Sequence, residues 1–218
     1  SDSIAVIYNN ADAYSTGIYN AFKAKADELG LNIVSTTTFT DDTATDFSVQ
    51  LSEAQKAGAD FVFLPIYYTP ASLILQQAKD LGYQPKFFGC DGLDGVLGVE
   101  NFDTSLAEGV MLLTPFAADA KDEATQKFTK AYGEKYNGEV PIQFAADGYD
   151  CVYAVKQAAE KAGITPDMNA SDICEAMKVA MTEIEFPGVT GTITWGADGE
   201  PTKEPKGMVI KDGSYTAM

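Results

Sequence analysis

Short apolar runs alternate with longer stretches of helical periodicity between residues 3 and 114, and this alternation constrains the fold more than any other feature. The run IAVIY (residues 4–8) is apolar throughout, which is typical of a strand buried on both faces of a sheet. The stretch after it repeats apolar residues such as Tyr19 and Phe22 at helical spacing and ends at Gly30. Strands that alternate with helices predict βαβ units, and right-handed crossovers then give an α/β fold with a doubly wound parallel sheet.

Five strands are predicted in this part of the chain, at residues 4–8, 32–39, 60–66, 86–89 and 109–114. The second helix carries Phe47 and Leu51 on its apolar face, and Thr45 or Asp46 is its predicted cap. The third helix is predicted to start at the Thr-Pro pair of residues 69–70, because proline is favoured in the first turn.

After Pro115 the pattern changes to three helices without strands between them, followed by two strand-like runs. The helices are predicted at residues 122–136, at 142–162 and, with Ser171 or Asp172 as the cap, up to residue 181. The chain therefore divides into an α/β ligand-binding domain, residues 1–118, and a segment of helices with a C-terminal hairpin, residues 119–218. The second segment lacks a sheet to pack on, so we expect exposed apolar faces and self-association of the chain.

The charge of the chain excludes several classes of partner. Its 218 residues carry a net charge of −17, and no histidine is present. Every cation is a lysine, so the bidentate clamp that arginine offers to phosphate and carboxylate is missing. An acidic surface repels nucleic acid and anionic lipid, so neither is an expected partner. Without histidine, the commonest general base and metal ligand is also absent.

The familiar cofactor and nucleophile motifs are also missing. The loop after the first strand, NNADAYSTG, is not a GxGxxG dinucleotide fingerprint, and neither GxxxxGK[ST] nor GxSxG occurs. Cys90, Cys151 and Cys174 are widely spaced, and their simplest interpretation is buried structural thiols, with a disulfide as the alternative. Asp147 and Asp150 are interpreted as helix caps or surface groups. We expect no catalytic residues, no cofactor and no metal site.

Three loops that follow predicted strands carry the candidate binding residues. In open parallel sheets, ligands bind outside the carboxyl ends of the strands. Tyr14 follows the first strand, Tyr67 and Tyr68 follow the third, and Asp91 follows the fourth in the stretch FFGCDGLDG. Aromatic walls with one orienting carboxylate are a usual arrangement in a small-molecule pocket. Each residue also has a structural alternative: Tyr14 on an open loop surface, one adjacent tyrosine in packing, and Asp91 as the cap of a short helix.

The series IAVIYNNADAYSTG, AGADFVFLPIYYTPASLILQQAKDLGY, FFGCDGLDG and AEGVMLLTPF resembles the type I periplasmic binding proteins, in order and in spacing. Within that family it is most similar to the branched-chain amino-acid receptors of ABC importers. The resemblance implies two lobes that close on a ligand, of which this chain has the second lobe and helices that return to the first. The abrupt start of the chain with a strand agrees with a fragment that lacks most of the first lobe.

The resemblance also implies the roles of the candidate residues. Tyr14, Tyr67 and Asp91 match the two tyrosines and the acidic residue of the second lobe, which line the side-chain slot and hold the ammonium of an amino acid. The family often has glutamate where Asp91 stands, so the ammonium contact is expected to shift or to use a water.

The resemblance thus predicts a solute-binding component of an ABC importer, outside the cytoplasm, in the periplasm or lipid-anchored. Its partners are a free amino acid of the branched-chain type and the permease subunits. A ligand-sensing domain of a membrane signalling receptor, the same fold binding a short amide and a cytosolic α/β enzyme are the alternatives.

Overall fold

A seven-stranded sheet organises the first of two structural units in the computed structural model, which describes residues 3–218. The first unit contains residues 3–114 and Gly207–Met218, and the second is Pro115–Lys206. The strands are β1 (Ile4–Asn9), β2 (Ile33–Phe39), β3 (Phe61–Leu64), β4 (Lys86–Gly89), β5 (Met111–Thr114), β6 (Phe186–Gly188), β7 (Gly191–Trp195), β8 (Pro201–Thr202), β9 (Lys206–Lys211) and β10 (Ser214–Ala217). The α-helices are α1 (Ala13–Leu29), α2 (Ser48–Lys56), α3 (Tyr68–Asp80), α4 (Glu123–Lys135), α5 (Gln143–Ala162) and α6 (Ala170–Glu183).

The strand order of the large sheet is β10-β9-β5-β4-β3-β1-β2. Strands β1 to β5 pair in parallel, and β9 and β10 form an antiparallel hairpin. The predicted doubly wound α/β fold is therefore confirmed. Strand β1 lies between β2 and β3, so the chain winds away from β1 in both directions. In a doubly wound sheet this reversal marks the place where ligands bind.

The core of the first unit lies around the central strands. Ala5, Val6 and Ile7 of β1 are fully buried, as expected for a strand covered on both faces. Helix α1 covers one face through Phe22, whose ring lies 4.5 Å from that of Phe63 in β3, centroid to centroid. The helix ends where predicted, because Gly30 adopts the left-handed conformation with a φ of 67°.

The caps predicted for three helices are wrong by one to three residues. Helix α2 has Phe47 in the capping position rather than Thr45 or Asp46. Helix α3 begins at Tyr68, with Tyr67 in the capping position, rather than at Thr69. Helix α6 is capped by Asn169, whose side chain accepts a hydrogen bond from the Asp172 backbone N–H. Asparagine, serine and aspartate are about equally good caps. Because Asn169, Ser171 and Asp172 lie close together, the sequence alone does not decide which of them is the cap.

The C-terminal hairpin lies in the first unit, whereas the sequence pattern groups it with the helices of the second segment. Strand β9 continues the large sheet beside β5, where the backbone N–H of Ile210 donates to Val110 (2.8 Å) and that of Gly109 donates to Ile210 (2.8 Å). Met208 and Ile210 are buried there. Backbone pairing with β5, about 100 residues earlier in the chain, thus places the hairpin in the first unit. Local periodicity does not encode a pairing of this kind.

The second unit combines helices α4 to α6 with the small antiparallel sheet β6-β7-β8. Helices α5 and α6 pack through a cluster that includes Ala158, Ala180 and Ile184. Cys151 on α5 and Cys174 on α6 are free and exposed, so their interpretation as buried thiols is wrong, and Cys90 is half-buried.

Asp150 connects helix α5 to the turn between β6 and β7, although the sequence pattern assigns it to a cap or to the surface. Its buried carboxylate accepts hydrogen bonds from the backbone N–H groups of Val189 and Thr190 (2.9 Å each) and from the Thr190 hydroxyl (2.6 Å). A Cβ at Gly188 would come within 2.3 Å of this carboxylate, so the turn needs glycine there. Asp147, one turn earlier, instead pairs with Lys203.

We expect Asp150→Asn to lower the free energy of unfolding of the second unit by about 2 to 4 kcal/mol. The amide nitrogen would face N–H donors, which would leave buried groups without an acceptor. Urea unfolding followed by the fluorescence of Trp195 in β7, the single tryptophan of the chain, measures this change. Asp147→Asn is the matched control and should change stability by less than about 1 kcal/mol, since its ion pair is partly exposed. Equal effects of the two substitutions would contradict the role given to Asp150.

The second unit exposes apolar side chains along α5, as expected from its sequence. Val152 is 68% exposed and Val155 is 54% exposed, and Tyr149 and Tyr153 are partly exposed beside them. The two tyrosines also line a groove of about 750 Å³ between α4, α5 and β6, whose wall includes Phe128. Apolar surface of this kind commonly marks a surface that is covered by another protein part.

We therefore expect the isolated chain to self-associate, with a mass above that of one chain in light scattering at high concentration. Added salt should strengthen the association, because the net charge of −17 repels a second copy. The double substitution of Val152 and Val155 by serine should weaken it. Val49 of α2, which is 64% exposed, provides the control Val49→Ser. A strict monomer at every concentration, or an equal effect of Val49→Ser, would contradict the prediction.

Candidate functional site

Three loops converge at the carboxyl edge of the large sheet, beside the reversal of strand order at β1. Tyr14 lies in the first turn of α1 after β1, and Tyr67 caps α3 after β3. Asp91 is the first residue of a 3₁₀ turn, Asp91–Leu93, that follows β4. The structure thus brings the three residues predicted from the sequence to one edge of the sheet.

These three side chains contact one another in series. The ring of Tyr67 stacks on that of Tyr14, with centroids 4.8 Å apart and planes inclined by 28°. The Tyr14 hydroxyl donates a hydrogen bond to Asp91 Oδ1 (2.7 Å) and accepts one from the backbone N–H of Gly92 (2.9 Å). The result is a partly exposed wall of two phenol rings that ends at a carboxylate.

The alternatives that the sequence leaves open are resolved by this geometry. Tyr14 is half-buried rather than spread on a loop surface. Cys90, not Asp91, occupies the capping position of the 3₁₀ turn, and the Asp91 carboxylate is directed to Tyr14. Of the adjacent tyrosines, Tyr67 stacks on Tyr14 and is 42% exposed, whereas Tyr68 is half-buried in the first turn of α3.

Ser15 ties two of the loops together, a role that the sequence pattern alone does not reveal. Its buried hydroxyl donates to the Pro65 carbonyl after β3 (2.6 Å) and accepts from the Asn9 backbone N–H at the end of β1 (2.9 Å). The Ser15 N–H in turn donates to the Asp12 carboxylate, which caps α1 (2.7 Å). A serine in the first turn of a helix directly after a buried strand is the only sequence signal for this tie.

Gly92 permits the close approach of the loops after β1 and β4. A Cβ at this position would lie 2.6 Å from the Ile66 carbonyl oxygen and 2.8 Å from the Tyr14 hydroxyl. Any larger residue would separate Tyr14 from the Asp91 loop. The glycine that follows Asp91 in FFGCDGLDG is therefore a structural requirement of the site.

The phenols of the site are held in their neutral form. Burial raises the pKa of Tyr14, and the hydrogen bond to Asp91 and the negative charge of that residue raise it further. The pKa of Tyr67 is also raised, first by partial burial and then by the charges of Asp12 and Asp91. Two carboxylates therefore act on one exposed aromatic surface, which favours a ligand with a positively charged group.

A small cavity of about 150 Å³ adjoins Tyr67 at the same edge. Phe39, Ile66 and Pro70 supply apolar walls, and Asp12 and Asp41 supply carboxylates. The Asp41 carboxylate accepts a hydrogen bond from the Asn9 side chain (2.7 Å). The site therefore combines apolar and anionic surfaces within a few residues of the strand ends.

Among residues 3–218, no group of three acidic, cysteine or histidine side chains is arranged to hold a metal ion. In the same range, no helix has the length and apolar character needed to cross a membrane.

The profile of a family described as Periplasmic binding protein matches residues 1–213. The chain belongs to this family. It is a family of binding proteins rather than enzymes, and a site of aromatic rings and carboxylates agrees with that character.

Relatives in this family carry names that refer to amino acids. The chain is 25% identical over 203 residues to the leucine-, isoleucine-, valine-, threonine- and alanine-binding protein of Pseudomonas aeruginosa, covering 91% of this chain and 50% of that protein. The chain therefore spans about half the length of this curated relative.

Two solved structures extend the comparison to the fold. The leucine-binding protein LivK from Thermotoga maritima superimposes with a TM-score of 0.84 at 27% identity, over 100% of this chain and 59% of that chain. The branched-chain amino-acid transporter substrate-binding protein LivJ from Streptococcus pneumoniae, solved in complex with isoleucine, gives a TM-score of 0.82 at 27% identity, over 99% and 59%.

We expect the Tyr14 phenol of the folded protein to stay protonated above the usual tyrosine pKa of about 10. Since unfolding returns this pKa to about 10, the unfolded state binds fewer protons at higher pH, and the stability from Tyr14 falls as the pH rises beyond that value. The tyrosinate absorbance of the wild type minus that of Tyr14→Phe should stay flat as the pH passes the ordinary tyrosine pKa of about 10.

The same pair of proteins in denaturant is the control for this titration, because there the difference should appear near pH 10, at the ordinary pKa of about 10. If the absorbance difference between the wild type and Tyr14→Phe also appeared near pH 10 in the folded proteins, it would contradict a buried, hydrogen-bonded Tyr14 phenol.

Proposed function

We propose that this chain is the ligand-holding part of an extracytoplasmic solute-binding component of an ABC importer and that its ligand is a small aliphatic amino acid. The observation that carries the proposal is the contiguous series Tyr67–Tyr14–Asp91 at the reversal of strand order. In this proposal Asp91 holds the ammonium, and the rings of Tyr14 and Tyr67 form the wall of the slot for the rest of the ligand.

The chemistry of the site favours a zwitterion over a neutral solute. Moving an ammonium group from water into a closed cleft is costly unless a carboxylate pairs with it. Asp91 offers this carboxylate, and the neutral phenol of Tyr14 orients it through a hydrogen bond of 2.7 Å. A sugar would leave the carboxylate without a cation, so the site would reject it through the cost of desolvation.

The names of the relatives support the branched-chain class. Leucine, isoleucine and valine occur in the name of the Pseudomonas aeruginosa relative, and the LivJ structure contains isoleucine. At 25% and 27% identity these names support a class of ligand, and leucine is the natural first probe.

We further propose that residues 1–118 act as the second lobe of a two-lobed receptor and that the helices after residue 118 return to the first lobe. The coverage of 59% of LivK and LivJ supports a longer full-length protein. The apolar groove and the exposed valines of α5 support a further lobe that covers them. The ligand would bridge the lobes and shift the receptor toward its closed state, which the permease would recognise.

Asp91→Asn tests the proposed site in a protein that carries both lobes. We expect it to weaken the binding of L-leucine by about 2 to 5 kcal/mol, the usual loss when one partner of a buried charge pair is removed. Isothermal titration calorimetry measures the change. Asp80→Asn, at the C-terminal end of α3, removes the same charge at a distant end of the helix and should leave the affinity unchanged.

The wild-type protein should give heat with leucine, isoleucine or valine. Heat with a sugar or a short amide, and none with any aliphatic amino acid, would overturn the ligand class. An equal loss in Asp91→Asn and Asp80→Asn would overturn the role of Asp91.

A further inference from the structure

Two tyrosines from opposite ends of the chain hold the loop that presents Asp91. This loop, residues 91–98, contains two consecutive 3₁₀ turns, Asp91–Leu93 and Val96–Gly98. The backbone N–H of Gly92 donates to the Tyr14 hydroxyl (2.9 Å), and the backbone N–H of Gly95 donates to the Tyr215 hydroxyl (2.9 Å). Each turn is therefore anchored on a phenol oxygen.

Backbone pairing determines the position of Tyr215. It lies in strand β10, opposite Ile210 of β9, and Ile210 exchanges two backbone hydrogen bonds of 2.8 Å with the segment that leads into β5. Strand β5 in turn pairs with β4, the strand that ends directly before the Asp91 loop. The phenol of Tyr215 thus reaches the loop from a part of the sheet that is connected to β4 through two intervening strands.

The surroundings of the Tyr215 phenol match a role as an acceptor of backbone N–H groups. Burial raises its pKa to about 12, with a further contribution from the charge of Asp94, while the N–H groups of Gly95, Leu97 and Val96 act in the opposite direction. Gly95 has a φ of 114°, a backbone conformation that residues other than glycine rarely adopt. The loop therefore directs the Gly95 N–H to the Tyr215 oxygen, and the backbone conformation of this glycine makes that turn possible.

A short covalent and hydrogen-bonded route leads from Tyr215 to Asp91. Gly95, which Tyr215 holds, follows Asp94, and the Asp94 N–H donates to the Asp91 carbonyl oxygen (2.9 Å). We propose that Tyr215 is a positioning residue for Asp91, which holds the far end of the loop while Tyr14 holds the near end. The importance of Asp91 for the ligand rests on the proposed function, whereas the anchoring of the loop does not.

Hydrogen exchange on the 218-residue chain tests the anchoring without any ligand. In Tyr215→Phe, which retains the ring and removes the oxygen, the Gly95 N–H should exchange about tenfold faster, and the Gly92 N–H should also be accelerated. By reciprocity, Tyr14→Phe should accelerate exchange at Gly95. Acceleration at Gly95 alone in Tyr215→Phe, with Gly92 unchanged, would overturn the proposal.

Tyr83→Phe is the matched control for the exchange experiment. The Tyr83 hydroxyl donates to the Ala59 carbonyl (2.8 Å), and burial likewise raises its pKa to about 12. Ala59 lies just before β3 and Tyr83 just before β4, at the amino ends of these strands. The bond between them is therefore at the opposite edge of the sheet from the site. Removing it costs one hydroxyl–backbone hydrogen bond in the same unit and should leave exchange at Gly92 and Gly95 unchanged. Equal acceleration in both variants would reveal a general loss of stability and overturn the specific role of Tyr215.

A double-mutant cycle with L-leucine then separates positioning from stability in a protein that carries both lobes. We expect Tyr215→Phe to weaken binding about tenfold, or about 1.4 kcal/mol, when Asp91 is present, and to have no effect in the Asp91→Asn background. Equal losses in both backgrounds would overturn the action through Asp91. Absence of leucine binding by the wild type would instead contradict the proposed function, and the exchange experiment would still decide the role of Tyr215.

Discussion

The hydroxyl of Tyr14 is the contact on which the candidate site depends, because it donates to the Asp91 carboxylate and accepts from the Gly92 backbone at once. A phenol can make both bonds only while it keeps its proton, and burial beside a carboxylate ensures that it does. The donated bond orients the carboxylate, and the accepted bond holds the loop that carries it. One oxygen atom, that of the Tyr14 hydroxyl, therefore orients the carboxylate and also fixes the backbone that carries it.

Sheet topology explains why this contact is possible. Strand β1 lies beside β3, and the chain winds away from β1 in both directions, so the loops after these strands diverge and leave an opening at the carboxyl edge. Ser15 joins the same two loops through buried hydrogen bonds to backbone groups at Asn9 and Pro65, so the opening has a rigid base. The stacked rings of Tyr14 and Tyr67 stand on this base. Their position follows from strand order rather than from any feature of the tyrosines themselves.

The parts that could be predicted from the sequence are those encoded locally. Buried strands and the cap at Gly30 follow from apolar periodicity and from residue types with strong backbone preferences. The rule for parallel sheets then brings Tyr14, Tyr67 and Asp91 to one edge. The pairing of β9 with β5 and the burial of Asp150 depend on partners about 40 to 100 residues away, as the bonds to Val189 and Val110 illustrate, and no local pattern encodes them.

The length of the acidic side chain has a consequence for how such a site would reach high affinity. Aspartate has one methylene fewer than glutamate, so its carboxylate extends less far from the backbone that carries it. It also has one rotatable bond fewer, and Tyr14 fixes the remaining freedom through a bond of 2.7 Å. Less conformational entropy is then lost when a ligand binds, which offsets a less direct contact. Rigidity of the loop at residues 91–98 thus matters more here than it would for a longer carboxylate, because a short side chain cannot compensate for a displaced backbone.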